Sequence, residues 1–165
     1  GCAVFRLPER GVLEVSGSER VRWLDGMITN DVKELGAAGP GAGAPALALT
    51  HQGRIIAALH VLVRDDVLWL DLDRSVLPAL VAHFESRIIA DDVTLTDRSE
   101  PWARVAVEGP GAADAVDRAI GTPAGLADEA NAPAALAGAD VLVAAYGVAA
   151  AGGRPVPYHR RAGQR

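Results

Sequence analysis

Apolar and polar positions alternate along Gly11-Val12-Leu13-Glu14-Val15-Ser16, the two-residue period of a half-buried strand. A helical period follows. Val21, Leu24 and Ile28 fall on one stripe, with Trp23 and Met27 beside it. Ser16 and Glu19 have capping-box spacing, with Ser18 as a rival N-cap, and the helix is expected to end near Thr29-Asn30-Asp31. Residues 36–45, made of Gly, Ala and Pro, read as a loop. A strand begins at 46–50, Gln52-Gly53 turns, and residues 55–63 form a long strand, apolar on both faces except His60. Asp65-Asp66 marks a tight hairpin before a returning strand at 67–72. The clearest amphipathic helix carries Leu77, Leu80, Val81, Phe84 and Ile88, with Ser75 as its cap and Pro78 in its first turn.

Further strands are expected at 92–97, 103–107 and 141–146, and a short helix at 112–120. Residues 121–135 read as a loop or frayed helix, and little fixed structure is expected beyond Gly147. Hairpin-linked strands interleaved with helices predict an α+β fold: antiparallel sheets with helices on one face, not a doubly wound parallel sheet.

Composition narrows the class. The chain has 165 residues, half of them apolar and 22% charged, which suits a packed core and argues against disorder. Net charge is −5, and the last twelve residues hold Arg154, Arg160, Arg161 and Arg165 with no acid. The rest is therefore more acidic still, which excludes a phosphate-backbone binder, so no nucleic-acid partner is expected. No apolar run reaches the length of a membrane span. The single cysteine, Cys2, allows no internal disulfide and no cysteine-built metal cage, so a reducing, cytoplasmic setting is expected.

The polar constellations each have a plain structural reading. Gly109-x-Gly111-x-x-Asp114 lacks the third glycine of a dinucleotide fingerprint and reads as a strand-to-helix turn. Asp65-Asp66 and Asp91-Asp92 suit turns and caps, since strand neighbours point to opposite faces. His60 reads as a buried, satisfied histidine and His83 as solvated, while His51 reads first as a residue of the Gln52-Gly53 turn, with a cleft-facing position as the lesser alternative. No metal-ligand spacing and no nucleophile elbow occurs. Asn30-Asp31 reads either as a helix stop or as one side of a polar pocket completed by Gln52 and Arg54.

The segments Val12-Leu13-Glu14-Val15-Ser16-Gly17, Trp23-Leu24-Asp25-Gly26-Met27-Ile28-Thr29-Asn30-Asp31-Val32 and Leu49-Thr50-His51-Gln52-Gly53-Arg54-Ile55-Ile56 come in a telling order. Asp92-Val93-Thr94-Leu95-Thr96-Asp97-Arg98-Ser99 and Val107-Glu108-Gly109-Pro110 continue it. Together, over about residues 8 to 120, they resemble the folate-binding aminomethyltransferase superfamily, which includes the glycine-cleavage T-protein and the YgfZ-like proteins. The resemblance implies tetrahydrofolate as cofactor, held by Asn30, Asp31, Gln52 and Arg54, with Asp97 and Arg98 as further candidates.

It also implies limits. The T-protein pattern places an acidic pair where this chain has Ala57 and Ala58, and alanine can neither take a proton nor hold an ammonium. That favours the YgfZ-like branch, linked to iron–sulfur cluster maintenance, without aminomethyl transfer and with no assignable catalytic residue. The Lys-Gly-Cys motif of that branch is absent, because no cysteine follows Cys2 and Lys33 is the only lysine. A shortened form is therefore expected: a first folate-binding subdomain at 1–100, part of a second at 101–150, and a basic tail at 151–165 without order. The alternatives are a divergent one-carbon transferase using Asp71 or Asp97, and a non-catalytic homodimeric interaction module.

Overall fold

The computed structural model describes residues 1–100, 102–121, 125–146 and the backbone of 156–161. In chain order the elements are β1 (Ala3–Arg6), β2 (Arg10–Ser16), α1 (Arg20–Asp25), α2 (Val32–Ala38), β3 (Gly43–Leu49), β4 (Ile55–Val63), β5 (Leu68–Asp73), α3 (Leu77–Glu85), β6 (Thr94–Asp97), β7 (Trp102–Glu108), α4 (Ala112–Ile120), β8 (Asn131–Leu136), β9 (Ala139–Ala144) and β10 (Val156–Arg161). All strand pairs are antiparallel, as the interleaving of hairpins and helices predicts. Among the described residues no helix is long and apolar enough to cross a membrane.

The chain divides into two units. One is continuous, Glu9–Ser99, with strand order β3-β4-β5-β2-β6. The other joins Gly1–Pro8 to the residues from Glu100 onward, with order β1-β7-β10-β9-β8. The boundary at Ser99/Glu100 lies beside the cut expected from sequence, but the first eight residues go with the later unit. The reason is pairing: Ala3–Arg6 adds to β7 in the register Ala3↔Glu108 to Arg6↔Val105.

In the Glu9–Ser99 unit the strand alternation sorts side chains onto two faces. Leu13, Val15, Ala57, Leu59, Val61, Leu68, Leu70 and Leu72 share one cluster with Trp23 and Leu24 of α1, Val32 of α2, and Leu77, Leu80 and Phe84 of α3. The Trp23 and Phe84 rings meet edge-to-face, 5.2 Å between centroids. Of the sheet's two faces, this is the one the three helices cover. The opposite face carries His60, cross-strand from Asp71, and Asp71 is paired with Arg10 at 3.2 Å.

Local joints differ from the capping expectations. Ser18 donates from its backbone and its hydroxyl to Asp92, at 2.9 and 2.6 Å, and Arg22 pairs with Glu19 and with Asp91. The start of α1 is thus tied down by Asp91-Asp92, 69 to 74 residues away in sequence, not by its own Ser16. Gly17 permits this approach, since a Cβ there would lie 2.1 Å from the Asp92 carbonyl oxygen. Ser75 bonds back to Asp73 instead of capping α3.

Four elements were not expected. β1 is exposed at every position and shows no burial period. α2 spans Val32–Ala38, of which only the last three residues fall in the stretch read as a loop, and β8 lies mostly where a loop or frayed helix was read. β10 pairs with β7 and β9, so residues 156–161 are ordered strand where a tail without order was expected. Neighbouring backbone supplies that order. The expectation for 151–155 and 162–165 falls outside the described residues.

Candidate functional site

The site is built where the chain leaves α1. The helix closes through Gly26 N–H to Trp23 O and Met27 N–H to Leu24 O. Ile28 then bridges to Ala48, antiparallel. Thr29 N–H donates to Leu47 O at 3.0 Å, and its Oγ1 accepts from Leu47 N–H at 2.9 Å. Residues 26–29 therefore run along the outer edge of β3, and the direction of that pairing decides what meets the β3–β4 turn. Gly26 and Met27 lie toward the turn. Asn30 lies away from it, donating through Nδ2 to Pro45 O at 2.8 Å. Pro45 is five residues along the strand from Thr50, roughly 16 Å at strand spacing.

So the convergence of Asn30-Asp31 with Gln52 and Arg54 does not form. Asp31 caps α2, its Oδ1 accepting from Glu34 N–H at 2.7 Å, and both residues follow the plain reading of a helix boundary. The turn itself is closed by Thr50, which donates to Arg54 O at 2.8 Å and accepts Arg54 N–H on its hydroxyl at 3.1 Å. Gly53 supplies the positive φ of +79°. Gln52 and Arg54 are exposed.

Asp97 and Arg98 are placed elsewhere. β6 and β3 are opposite edges of the five-stranded sheet, four strand spacings or roughly 19 Å apart. Asp97 accepts from Ser99 N–H at 2.8 Å, and Arg98 pairs with Glu14 at 3.0 Å while Glu14 also accepts from Trp69 Nε1. Arg98 and Asp97 thus brace the β2–β6 edge.

What does meet the turn is the far end of α3. Thr29, Leu47, Leu49, Thr50 and His51 border a pocket of about 280 Å³ with Gly26, Met27, Ile28, His83 and Arg87. His51 lines the pocket, the less favoured of its two readings from sequence. His83 was expected to be solvated, yet it is half-buried and lines the pocket. Burial, and then the neighbouring Arg87 charge, hold its imidazole below the ordinary histidine value. Met27, His83 and Arg87 were missed by sequence reasoning. The one available signal was the i, i+4 spacing of His83 and Arg87, which puts both on one side of α3 and its C-terminal extension.

The two alanines Ala57 and Ala58 are not equivalent. Ala57 is 2% exposed in the core, whereas Ala58 is exposed on the other face, cross-strand from Leu47. The pocket lining holds imidazoles, a guanidinium and hydroxyls, but no carboxylate or thiol. That set can bind a polar ring or an anion. It offers no carboxylate to activate an amine. Among the described residues no group of three His, Cys, Asp or Glu is arranged to hold a metal ion.

No protein-family model matches the chain. Among curated proteins it is similar to the iron-sulfur cluster assembly factor IBA57 homolog, mitochondrial, of Mycosarcoma maydis, 32% identical over 107 residues. The match covers 59% of this chain and 27% of that protein, so it spans about a quarter of the relative's length. Among solved structures, the glycine cleavage system aminomethyltransferase T from Bartonella henselae superposes with a TM-score of 0.80 at 18% identity, over 96% of this chain and 41% of that one. Heterotetrameric sarcosine oxidase from Corynebacterium sp. U-96 gives 0.62 at 17% identity, over 97% of this chain and 75% of that one. The chain has the antiparallel α+β fold of aminomethyltransferase T, as its sequence motifs implied.

Proposed function

We propose that the chain is a YgfZ-like tetrahydrofolate-binding protein that serves iron–sulfur cluster maintenance and does not carry out aminomethyl transfer. One coincidence supports this reading above all: a chain with the fold of aminomethyltransferase T has a 107-residue match to an iron–sulfur assembly factor. The alanines at 57 and 58 argue in the same direction, because neither can supply the acid of the transfer reaction. The rival acids do not fill the gap. Asp71 is buried against Arg10 and Asp97 is at the far sheet edge, and neither lines the pocket.

The donor set fits either end of a folate, a polar ring or a carboxylate. Met27, Ile28, Leu47 and Leu49 provide apolar walls, and Thr29, Thr50 and His51 provide polar edges. At about 280 Å³ the pocket suits one end of a folate, its ring or its carboxylate tail, rather than the whole molecule. Gln52 and Arg54, exposed on the turn, are free to meet the remainder of the ligand. Asn30 keeps its side-chain carbonyl, whereas Asp31 is engaged in capping. Tetrahydrofolate, when bound, supplies a nitrogen-borne one-carbon carrier. A reducing compartment, cytoplasmic or mitochondrial as in the relative's name, suits a chain with one cysteine.

Titration with tetrahydrofolate, read by calorimetry and melting temperature, tests this. The expected result is a Kd tighter than about 100 μM, roughly −5.5 kcal/mol, with a matching rise in melting temperature. Arg54→Ala weakens binding. Asp31→Ala lowers stability by about 1 kcal/mol through the lost cap and leaves affinity unchanged. No heat and no thermal shift with the wild-type chain would sink the reading. Sizing the same sample separates monomer from homodimer.

A further inference from the structure

We propose that the pocket between α3 and the β3–β4 turn takes the carboxylate or phosphate oxyanion of its ligand, with Arg87 as principal contact and His51 and His83 beside it. The inference concerns the same pocket as the folate reading and rests on that reading only for the ligand's identity.

The first observation is charge. The Glu9–Ser99 unit contains fourteen acidic and nine basic residues. Yet the ionisable side chains lining this pocket are Arg87, His51 and His83, with no acid among them. A cationic concavity in an acid-rich unit selects anions.

The second observation is what the other cations of the unit are doing. Arg10 pairs with Asp71, Arg22 with Asp91, Lys33 with Asp25 and Arg98 with Glu14, at 2.6–3.2 Å. Arg20 donates to Gly17 O at 2.9 Å. Among the described residues Arg87 and Arg54 have no acid in ion-pair range. Arg87 lines the pocket, and Arg54 belongs to the turn that contributes Thr50 and His51 to it.

A plainer account is that His83 and Arg87 complement the negative end of α3. That end is already supplied with donors. Ser86 Oγ bonds His83 O at 2.7 Å, Arg87 N–H bonds Phe84 O at 2.9 Å, and Ile88 N–H bonds Glu85 O at 3.2 Å. Trp23 Nε1 reaches Arg87 O at 3.4 Å. These bonds leave the guanidinium free of the helix carbonyls and fix the backbone from which it projects. The planar fork of an arginine suits paired bonds to a carboxylate or phosphate. His83, held toward its neutral form by burial and by Arg87, still offers one N–H donor.

The test uses the full chain and three probes: glutarate, inorganic phosphate and the neutral diamide glutaramide. Histidine ring signals are followed by NMR and affinities by calorimetry. Saturable shifts of the His51 and His83 rings are expected with at least one anion and none with glutaramide. The better of glutarate and phosphate then distinguishes a carboxylate ligand from a phosphorylated one. Arg87→Gln should weaken anion binding at least tenfold at an unchanged melting temperature, and Arg87→Lys should retain part of it. Binding of neither anion, an equal response to glutaramide, or an unchanged affinity in Arg87→Gln would each overturn the proposal. Anion binding without tetrahydrofolate binding would remove the folate reading and leave this one standing.

Discussion

The Glu9–Ser99 unit and the unit built on β7 share a plan, a five-stranded antiparallel sheet with helix against it, but they fill it differently. The first is packed with leucines, Trp23 and Phe84, and Leu13, Leu24, Leu70, Leu72, Leu80 and Phe84 are fully buried. The second relies on Val107, Ala112, Val116, Val141 and Val143. Beside α4 lies an open apolar groove of about 260 Å³, bordered by Val4, Val105, Val116, Ile120 and Leu136. Among the described side chains the cluster of this second unit is smaller and holds no aromatic ring. A dense core is also a better platform for a site. In the first unit Trp23 packs on Phe84 and bonds the Arg87 carbonyl, so core packing reaches directly to the pocket wall.

The comparison can be broken most severely at Ala57. Ala57→Asp puts a carboxylate at a 2%-exposed position with no partner and should cost more than about 3 kcal/mol in a urea melt. Ala58→Asp, one residue on and exposed, should change stability by no more than about 0.5 kcal/mol. Similar losses from the two variants would mean that the assigned faces of β4 are reversed.

A second pair of variants probes packing. Ala48→Leu overfills the dense core, where Ala48 is fully buried, and should destabilise by about 1–3 kcal/mol. Ala115→Leu extends over the open apolar groove beside α4 and should stabilise by about 0.5–1 kcal/mol. If both destabilise, the second unit is as tightly filled as the first.

The smallest effect separates the units by pH. In the first unit Asp92 is held below the ordinary carboxylate range by the Ser18 hydroxyl and N–H, and Asp25 by Lys33. Their contribution is present above the unfolded-state values and is lost as pH falls through the lower folded ones. Glu129, in the second unit, is pushed up by burial and then by Asp128. Its carboxyl is protonated in both states below the unfolded value, and above it ionisation opposes folding. Glu129→Gln should therefore stabilise at pH 7 by up to about 0.5 kcal/mol, and the gain should vanish below about pH 4. A gain that persists in acid would show that the charge is not its cause.

Periodicity marked β2, β5 and α3, whose apolar residues face the Leu-rich core at the period of the backbone, while β4, buried on both faces from Leu59 to Val63, was marked by its long apolar run. It also yielded the antiparallel α+β class and, through the ordered motifs around Trp23–Val32 and Gln52–Arg54, the aminomethyltransferase-like fold. Residues whose partners lie far along the chain were not legible. β1 has no buried face and is a strand because β7, a hundred residues away, offers it hydrogen bonds. α2 is a short helix of about two turns held by Asp31 and Asp25, too brief for a period to show. The pocket depended on a register. Sequence placed Asn30 and Gln52 among the polar joints, but only the bridge of Ile28 to Ala48 decides that Met27 approaches the turn while Asn30 departs from it. Local sequence determines which residues prefer strand, helix or turn. Which of them meet is decided by strand register and helix packing, because those depend on the shape of a core that no single stretch of chain contains.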